Sequence, residues 1–254
     1  MEKERIKLIH DSLHELRYFN QKMTTASQRL AQTVRTNVVG ENEPLKCNAS
    51  HADEIRVQVE NLAFLTKLGS TRLDFIEYEL NPDFFSESTP YEVDIYNKFF
   101  SAKSVLNTTS KKHKVKVKLN SDIARHPMVM AVSLIDILPF LLLDNAIKYS
   151  PNNSEVDVNF IAYSSSIEVT IVSTGPYVPP EEIKKLFLKG YRGKNAQLLD
   201  VQGKGIGLYF ADKIVKLHDS SLKLESSSST YSFNSVKYSE FKMTLSIPLA
   251  STEL

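Results

Sequence analysis

The stretch LLLDNAIKYS, residues 141–150, drives an apolar run straight into Asp144-Asn145 and then Lys148-Tyr149. On a helix, Leu141, Asn145, Lys148 and Tyr149 share one face at spacings of three and four. An asparagine carbonyl is a hard oxygen donor suited to Mg²⁺. A lysine one turn further can neutralise phosphate, and a neighbouring tyrosine can stack on a base. A helix end with solvated polar residues is the plain alternative. Residues 203–208 read GKGIGL and run at once into a helix. Glycines at alternate positions, Gly203, Gly205 and Gly207, let backbone N–H groups approach phosphate oxygens, and a helix N-terminus favours anions. A flexible turn is the alternative here. The spacing is not the G-x-G-x-x-G of a Rossmann unit placed directly after a strand, and the chain has no G-x-x-x-x-G-K-[ST] P-loop.

The elements that must position these residues fall into two zones. Up to about residue 80, apolar residues recur at helical spacing: first Ile6, Ile9, Leu13, Leu16, Phe19 and Met23, then Ile55, Val59, Leu62, Leu65, Leu68 and Leu73. Between the two stripes lies turn chemistry at Gly40, Pro44 and Asn48. Two long helices on a short loop make an antiparallel hairpin. Such a hairpin cannot bury its own stripes. Pairing with a second copy into a four-helix bundle would bury them, as would packing on the rest of the chain.

The second zone is mixed. Tyr91–Leu106 reads as a helix. HKVKVKL, residues 113–119, reads as a strand with its lysines on a solvated sheet edge. Ser133–Tyr149 reads as a helix opened by a Ser133/Asp136 capping box and kinked by Pro139. EVDVNFIAY and SIEVTIVS read as a strand hairpin, followed by a Gly-Pro turn and the short helix EEIKKLF. A polar stretch, the helix IGLYFADKIVKLH, and two more strands, SLKLES and EFKMTLSIP, complete the chain. The pattern predicts an α+β protein: an N-terminal antiparallel helical hairpin over 1–82, then a two-layer α/β sandwich over 83–254 with helices on a single face.

Composition excludes several classes. Across 254 residues the net charge is +1, so no bulk field favours nucleic acid. The longest apolar run, Ile137–Leu143, is far short of the roughly 20 residues that span a bilayer. The charged N-terminus is unlike a secretory signal, and the single cysteine, Cys47, permits no internal disulfide. The expectation is a cytoplasmic chain, or a piece of one, with no membrane insertion and no nucleic-acid partner.

The order of the pieces is more specific than any one of them. An Asn-bearing helix, a strand ending in Gly175-Pro176, a short helix with Phe187, a Tyr191-Arg192-Gly193 loop and a G-x-G-x-G-L helix start occur in sequence. This resembles the catalytic ATP-binding domain of bacterial sensor histidine kinases, a branch of the GHKL ATPase superfamily. LLLDNAIKYSP is similar to that family's asparagine box and GKGIGLYFADKIVKLH to its second glycine box. The resemblance extends to the hairpin, where His14-Glu15-Leu16-Arg17 is similar to the phosphoacceptor helix of the family. His10-Asp11-Ser12-Leu13 is a competing match, to a different subfamily. The resemblance implies ATP and Mg²⁺ as cofactors, a homodimer through the hairpin, and a response regulator as partner. It implies His14 as phosphoacceptor, Glu15 as acceptor of its proton, and Asn145 as metal ligand. Lys148 and Arg192 would meet phosphates, and Tyr149 would stack on adenine. Ser173 and Gly175 would line the base end; Gly203, Gly205, Gly207 and Leu208 would shape the phosphate end. Residues 188–202 would be a lid that orders over nucleotide.

The chain departs from the family pattern in three places. Leu141 stands where the asparagine box usually has a polar residue. The first glycine box, usually D-x-G-x-G, reads Ser173-Thr174-Gly175-Pro176-Tyr177. The missing carboxylate is the acceptor for the adenine amino group, a charge-assisted bond of roughly 1.5–3 kcal/mol. Tyr18 replaces the polar residue that positions the hydrolytic water, so the resemblance does not extend to phosphatase activity. Three readings stay open: an ATP-dependent protein histidine kinase, a degenerate kinase-like dimeric scaffold acting through partners, and an ATPase in which nucleotide gates dimer shape.

Overall fold

The computed structural model describes residues 2–38, 47–80, 89–199, 201, 203 and 205–250, with the side chains of 2–19, 72, 79 and 80 outside that set. The chain divides into two compact units, Met1–Glu87 and Ser88–Leu254.

The first unit holds helices α1 (Glu2–Asn37) and α2 (Ala49–Leu80). They pack on one another in antiparallel sense. Gln58 Nε2 donates to Thr33 Oγ1 at 3.0 Å, while further along Gly69 lies against the Met23 methyl. Asn48 starts α2, its side chain accepting from His51 N at 2.8 Å, as N-cap chemistry predicts. Leu65, Leu68, Thr71 and Phe75 are buried at spacings of three and four. Val59 and Leu73, expected in the same stripe, are instead exposed, as are Val34 and Val57.

The second unit begins with β1 (Tyr91–Asp94), where the sequence suggested helix throughout. Its four residues pair antiparallel with β3 (Met128–Ala131), a strand the sequence reading missed. The helix starts only after Asp94, whose carboxylate accepts from Asn97 N at 3.1 Å. This helix, α3 (Ile95–His113), runs past the expected end at Leu106 to His113, the residue expected to open the next strand. It stops at Lys114, which adopts a left-handed C-cap conformation (φ 51°). Strand β2 (Lys116–Ser121) is an edge strand, as its lysines suggested, with Lys118 paired to Glu155.

The Ser133 capping box does not form. Residues Ser133–Ile137 make a tight 3₁₀ turn whose N-cap is Val132, without a side-chain cap. Asp136 is buried instead: Tyr91 Oη donates to it at 2.9 Å and Lys98 Nζ lies 2.5 Å from its other oxygen. Burial first, then Asp136, pushes the Tyr91 phenol pKa up. Helix α4 (Leu138–Tyr149) then begins afresh with Pro139 in its first turn. At that position the missing N–H has no helical partner to lose, so no kinked continuous helix is needed.

The five-stranded sheet has the order β2-β4-β5-β7-β6, where β4 is Glu155–Ala162, β5 Ser166–Pro176, β6 Leu222–Phe233 and β7 Val236–Pro248. β2 and β4 are parallel and the remaining pairs antiparallel. The last two strands are much longer than the sequence segments SLKLES and EFKMTLSIP. They join through Asn234 and Ser235, both at positive φ (48° and 64°), the twist a two-residue hairpin requires. Alternate residues turn inward: Val156, Val158 and Phe160; Ile167, Val169 and Ile171; Met243, Leu245 and Ile247. Helices α3, α4 and α7 (Gly207–Lys216) lie side by side over that face. The result is the expected two-layer α+β sandwich.

Candidate functional site

Helix α4 buries Leu138, Phe140, Leu142, Leu143, Ala146 and Ile147 against the sheet and its helical neighbours. That apolar set leaves Leu141, Asp144, Asn145, Lys148 and Tyr149 half-exposed along one stripe, the face the sequence spacing picked out. Lys148 is already engaged there: its ammonium sits 2.5 Å from Asp144 Oδ2, one turn back, with both side chains largely covered. His113, at the end of α3, adjoins this pair. Burial, then the charges of Lys112 and Lys148, lower its pKa, against the opposing pull of Asp144.

The Gly203–Gly207 stretch lies beside this face. The Tyr149 hydroxyl is 3.7 Å from where a Gly203 side chain would begin. Gly205 has φ 68°, and a Cβ there would fall 2.3 Å from the Tyr191 carbonyl oxygen and 2.9 Å from Gly190 C. Only glycine fits a left-handed backbone pressed on another backbone. Gly190 N donates to Gly205 O at 3.0 Å, so the two ends of the 190–205 loop are fastened together. Gly207, the first residue of α7, faces open space. The preceding Ile206 gives no side-chain cap, so among the described residues the first-turn N–H groups are left to an external acceptor. Leu208 follows in the same turn, half-buried.

The first half of the loop is tethered. Short helix α6 (Lys194–Gln197) interrupts it. Asn195 Nδ2 donates to Tyr177 O at 2.7 Å. Glu182, in short helix α5 (Pro180–Ile183), is only 2% exposed and accepts from Lys194 N at 3.1 Å. Arg192 folds back, Nη2 donating to Ala196 O at 2.9 Å, while its Nε is buried and, among the described residues, without a hydrogen bond. Asp200, Gln202 and Lys204 lie outside the described residues.

At the expected base end the Gly-Pro turn is absent. Strand β5 carries on through Thr174, Gly175 and Pro176, paired with Glu240, Ser239 and Tyr238 of β7. Long β7 supplies partners up to that point, and Tyr177 N still donates to Lys237 O at 2.7 Å. Ser173 is buried with its hydroxyl 3.4 Å from Phe241 O. Phe241 Cβ stands 3.4 Å from the space above Gly175. The Tyr177 ring receives the Lys237 ammonium at 4.7 Å from its centroid.

The fold thus brings Tyr149, Gly203, Gly205 and the Tyr191-Arg192 corner into one neighbourhood. It turns the Lys148, Arg192 and Ser173 side chains onto protein partners. His10, His14 and Glu15 ride on α1 in the other unit, with side chains outside the described set. Among the described residues, no three His, Cys, Asp or Glu side chains gather to hold a metal. A magnesium ion would rest on the Asn145 carbonyl, phosphate oxygens and water, a donor set that suits it. The uncapped helix start and the glycine cradle suit a polyphosphate. Sequence reasoning missed Glu182 and Asn195. Two acidic residues after Pro179-Pro180 were visible, but not which one is buried.

Residues 140–250 match the family described as histidine kinase-, DNA gyrase B-, and HSP90-like ATPase. The signal transduction histidine-protein kinase ArlS of Staphylococcus haemolyticus is 24% identical over 226 residues, 88% of this chain and 46% of that protein. Sensor protein RprX of Bacteroides fragilis is 31% identical over 127 residues, 48% of this chain and 24% of its own length. The chain therefore spans between about a quarter and a half of these relatives. Among solved structures, the catalytic domain of histidine kinase ThkA superposes with TM-score 0.51 at 18% identity, covering 64% of this chain and 99% of that one. Full-length ShkA in complex with AMPPNP gives TM-score 0.51 at 16% identity, covering 98% of this chain and 47% of that one. These structures share the fold. With the ordered boxes, the two-layer sandwich and these relatives together, residues 140–250 carry the histidine kinase-, DNA gyrase B-, and HSP90-like ATPase domain, and the likeness of the chain is to a bacterial histidine kinase catalytic core.

Proposed function

We propose that this chain uses ATP with Mg²⁺ to phosphorylate a histidine on α1, His14, and passes the phosphoryl group to a response regulator. The observation that carries the reading is the Gly205 cradle. A glycine-only backbone conformation, clasped to Tyr191, sits between the open face of α4 and the uncapped start of α7. Loss of nucleotide binding would remove the constraint that keeps such a glycine run.

Phosphoryl transfer asks the protein for position and charge more than for covalent chemistry. Neutral imidazole is nucleophilic at neutral pH. The His14 ring nitrogen attacks the γ-phosphorus, the bond to the β–γ bridging oxygen breaks, and ADP leaves. Glu15 accepts the ring proton. Asn145 holds the magnesium ion, which when bound neutralises phosphate charge. Lys148 exchanges Asp144 for phosphate, and Arg192 exchanges Ala196 O. Tyr149 packs on the adenine; Gly203, Gly205, Gly207 and Leu208 shape the phosphate end, Ser173 and Gly175 the base end. The hairpin of 1–82 pairs with a second copy, which would cover the exposed Val34, Val57, Val59 and Leu73. Residues 83–254 act as the catalytic domain.

One observation favours a second reading, a kinase-like scaffold working through protein partners. The Ser173 hydroxyl engages Phe241 O, and Phe241 crowds Gly175, so the base end offers no carboxylate. Purified chain, Mg²⁺ and γ-labelled ATP separate the two. Acid-labile, base-stable label that disappears in His14→Ala supports the kinase. Label that survives there but disappears in His10→Ala moves the phosphoacceptor to His10. Absence of label, with no heat of nucleotide binding, leaves the scaffold.

A further inference from the structure

Glu182 is a buried carboxylate to which the family boxes give no part. It lies on α5, and its Oε2 accepts from Lys194 N at 3.1 Å. Among the described residues its Oε1 has no hydrogen bond, and it faces the Lys194 ammonium at 3.7 Å. The Tyr191 phenol stands near it: burial first, then this carboxylate, raise its pKa. Gly193 brings its backbone close enough that a Cβ there would stand 3.5 Å from Oε2. The carboxylate thus holds the chain at Lys194, with Gly193 and Tyr191 close beside it, on both sides of Arg192. Gln197 Nε2 adds a further hold, donating to Arg192 O at 2.7 Å. A carboxylate 2% exposed, bonded to a backbone N–H, fixes that backbone far better than a surface ion pair does.

Building on the proposed function, we infer that Glu182 is the positioning residue for Arg192: it clasps residues 191–194 to α5 so that the guanidinium swings from a fixed backbone between Ala196 O and the terminal phosphate of ATP. The clasp and the Gly190–Gly205 bond together make residues 190–197 a rigid arm. On this view only the side chain of Arg192 travels. A loose arm would spread that side chain over many positions, and its contact with the γ-phosphate would lose most of its worth.

The test is calorimetry of the full chain with ATP and with ADP, both in Mg²⁺, together with amide hydrogen exchange at Lys194. Arg192→Ala removes a charge-assisted contact that only ATP can make, lowering the ATP-over-ADP preference about tenfold or more. Glu182→Ala is expected to lower it comparably and to speed exchange at Lys194, and the double variant to lose no more than Arg192→Ala alone. Glu182→Gln, whose amide oxygen still accepts from Lys194 N, is expected to keep most of the preference. Should Glu182→Ala not fold, Glu182→Asp draws the carboxylate back by one methylene and is expected to give the same loss. The inference is overturned if Lys194 exchange speeds up while the preference stays, or if the two losses multiply. A parent chain that shows no heat of ATP binding sinks the proposed function itself, and this inference with it; a parent that binds ATP and ADP alike, or a Glu182→Ala variant that discriminates as the parent does, sinks the inference alone.

Discussion

Replacing Gly205 with alanine attacks the site at its least adjustable point. At φ 68° an L-residue pays about 1–2 kcal/mol for the left-handed conformation before any contact is counted. The added methyl would then lie 2.3 Å from Tyr191 O and 2.8 Å from its carbonyl carbon, both backbone atoms. The loop must open to relieve that contact, at the expense of the Gly190 N to Gly205 O hydrogen bond, about 1 kcal/mol. Together these terms shift the local equilibrium by roughly 2–3 kcal/mol toward the unclasped loop, a factor of about 30 to 150. The assay is amide exchange at Gly190, whose N–H is sealed by that bond, read beside ATP binding. Both should suffer, with faster exchange and weaker binding. Gly207→Ala is the control. No atom lies within 4 Å of its would-be Cβ, so folding stability should hold or rise slightly. ATP binding should nevertheless fall, because a methyl there obstructs approach to the helix start. Unchanged Gly190 protection in Gly205→Ala, with intact ATP binding, would refute the clasp and the cradle together.

Other perturbations test the frame and the pocket. His218 is neutral in the fold, its Nδ1–H donating to Ile214 O at 2.7 Å and its Nε2 accepting from Val132 N at 3.1 Å. Burial lowers its pKa below 6.5, so the unfolded chain takes up the proton first; the stability it contributes is full above pH 6.5 and is lost as pH falls toward the folded value. Urea midpoints should therefore drop between pH 7.5 and 5.5, less so in His218→Gln; identical pH slopes would contradict the assignment. Asp136→Ala leaves the Lys98 ammonium and Tyr91 hydroxyl without their buried partner and should cost about 3–5 kcal/mol in chemical denaturation. A loss under 1 kcal/mol would show the network to be dispensable. Ser173→Asp should tighten ATP binding about ten- to a hundredfold by restoring an acceptor for the adenine amino group, without helping GTP. An equal change for both nucleotides would remove Ser173 from the base end.

The fold was legible where pattern and burial share a period. Alternation in β4, β5 and β7 and the α4 stripe placed the inward faces correctly, because one side of each is covered. Errors came where a local signal lost to a tertiary partner. Tyr91–Asp94 reads as helix until β3 offers it a pairing edge, and Asp94, not Tyr91, holds the cap. Ser133-x-x-Asp136 has capping-box spacing, but Asp136 is drawn inward by Lys98 and Tyr91, residues far off in sequence. Gly175-Pro176 has turn chemistry, yet the length of β7 keeps it in the sheet. At the candidate site, the glycines and the α4 face could be found from residue type and spacing. The Glu182 clasp could not, since nothing in PPEEIKK says which glutamate meets Lys194 N.

The proposed chemistry requires a magnesium–ATP complex seated between the open face of α4 and the glycine cradle. Calorimetric titration of ATP into the chain, with and without Mg²⁺, and again in Asn145→Ala, addresses it most directly. Saturable binding that Mg²⁺ strengthens is expected, with that strengthening lost in Asn145→Ala. Binding indifferent to both the metal and Asn145, or no binding by a chain shown to be folded, would contradict it.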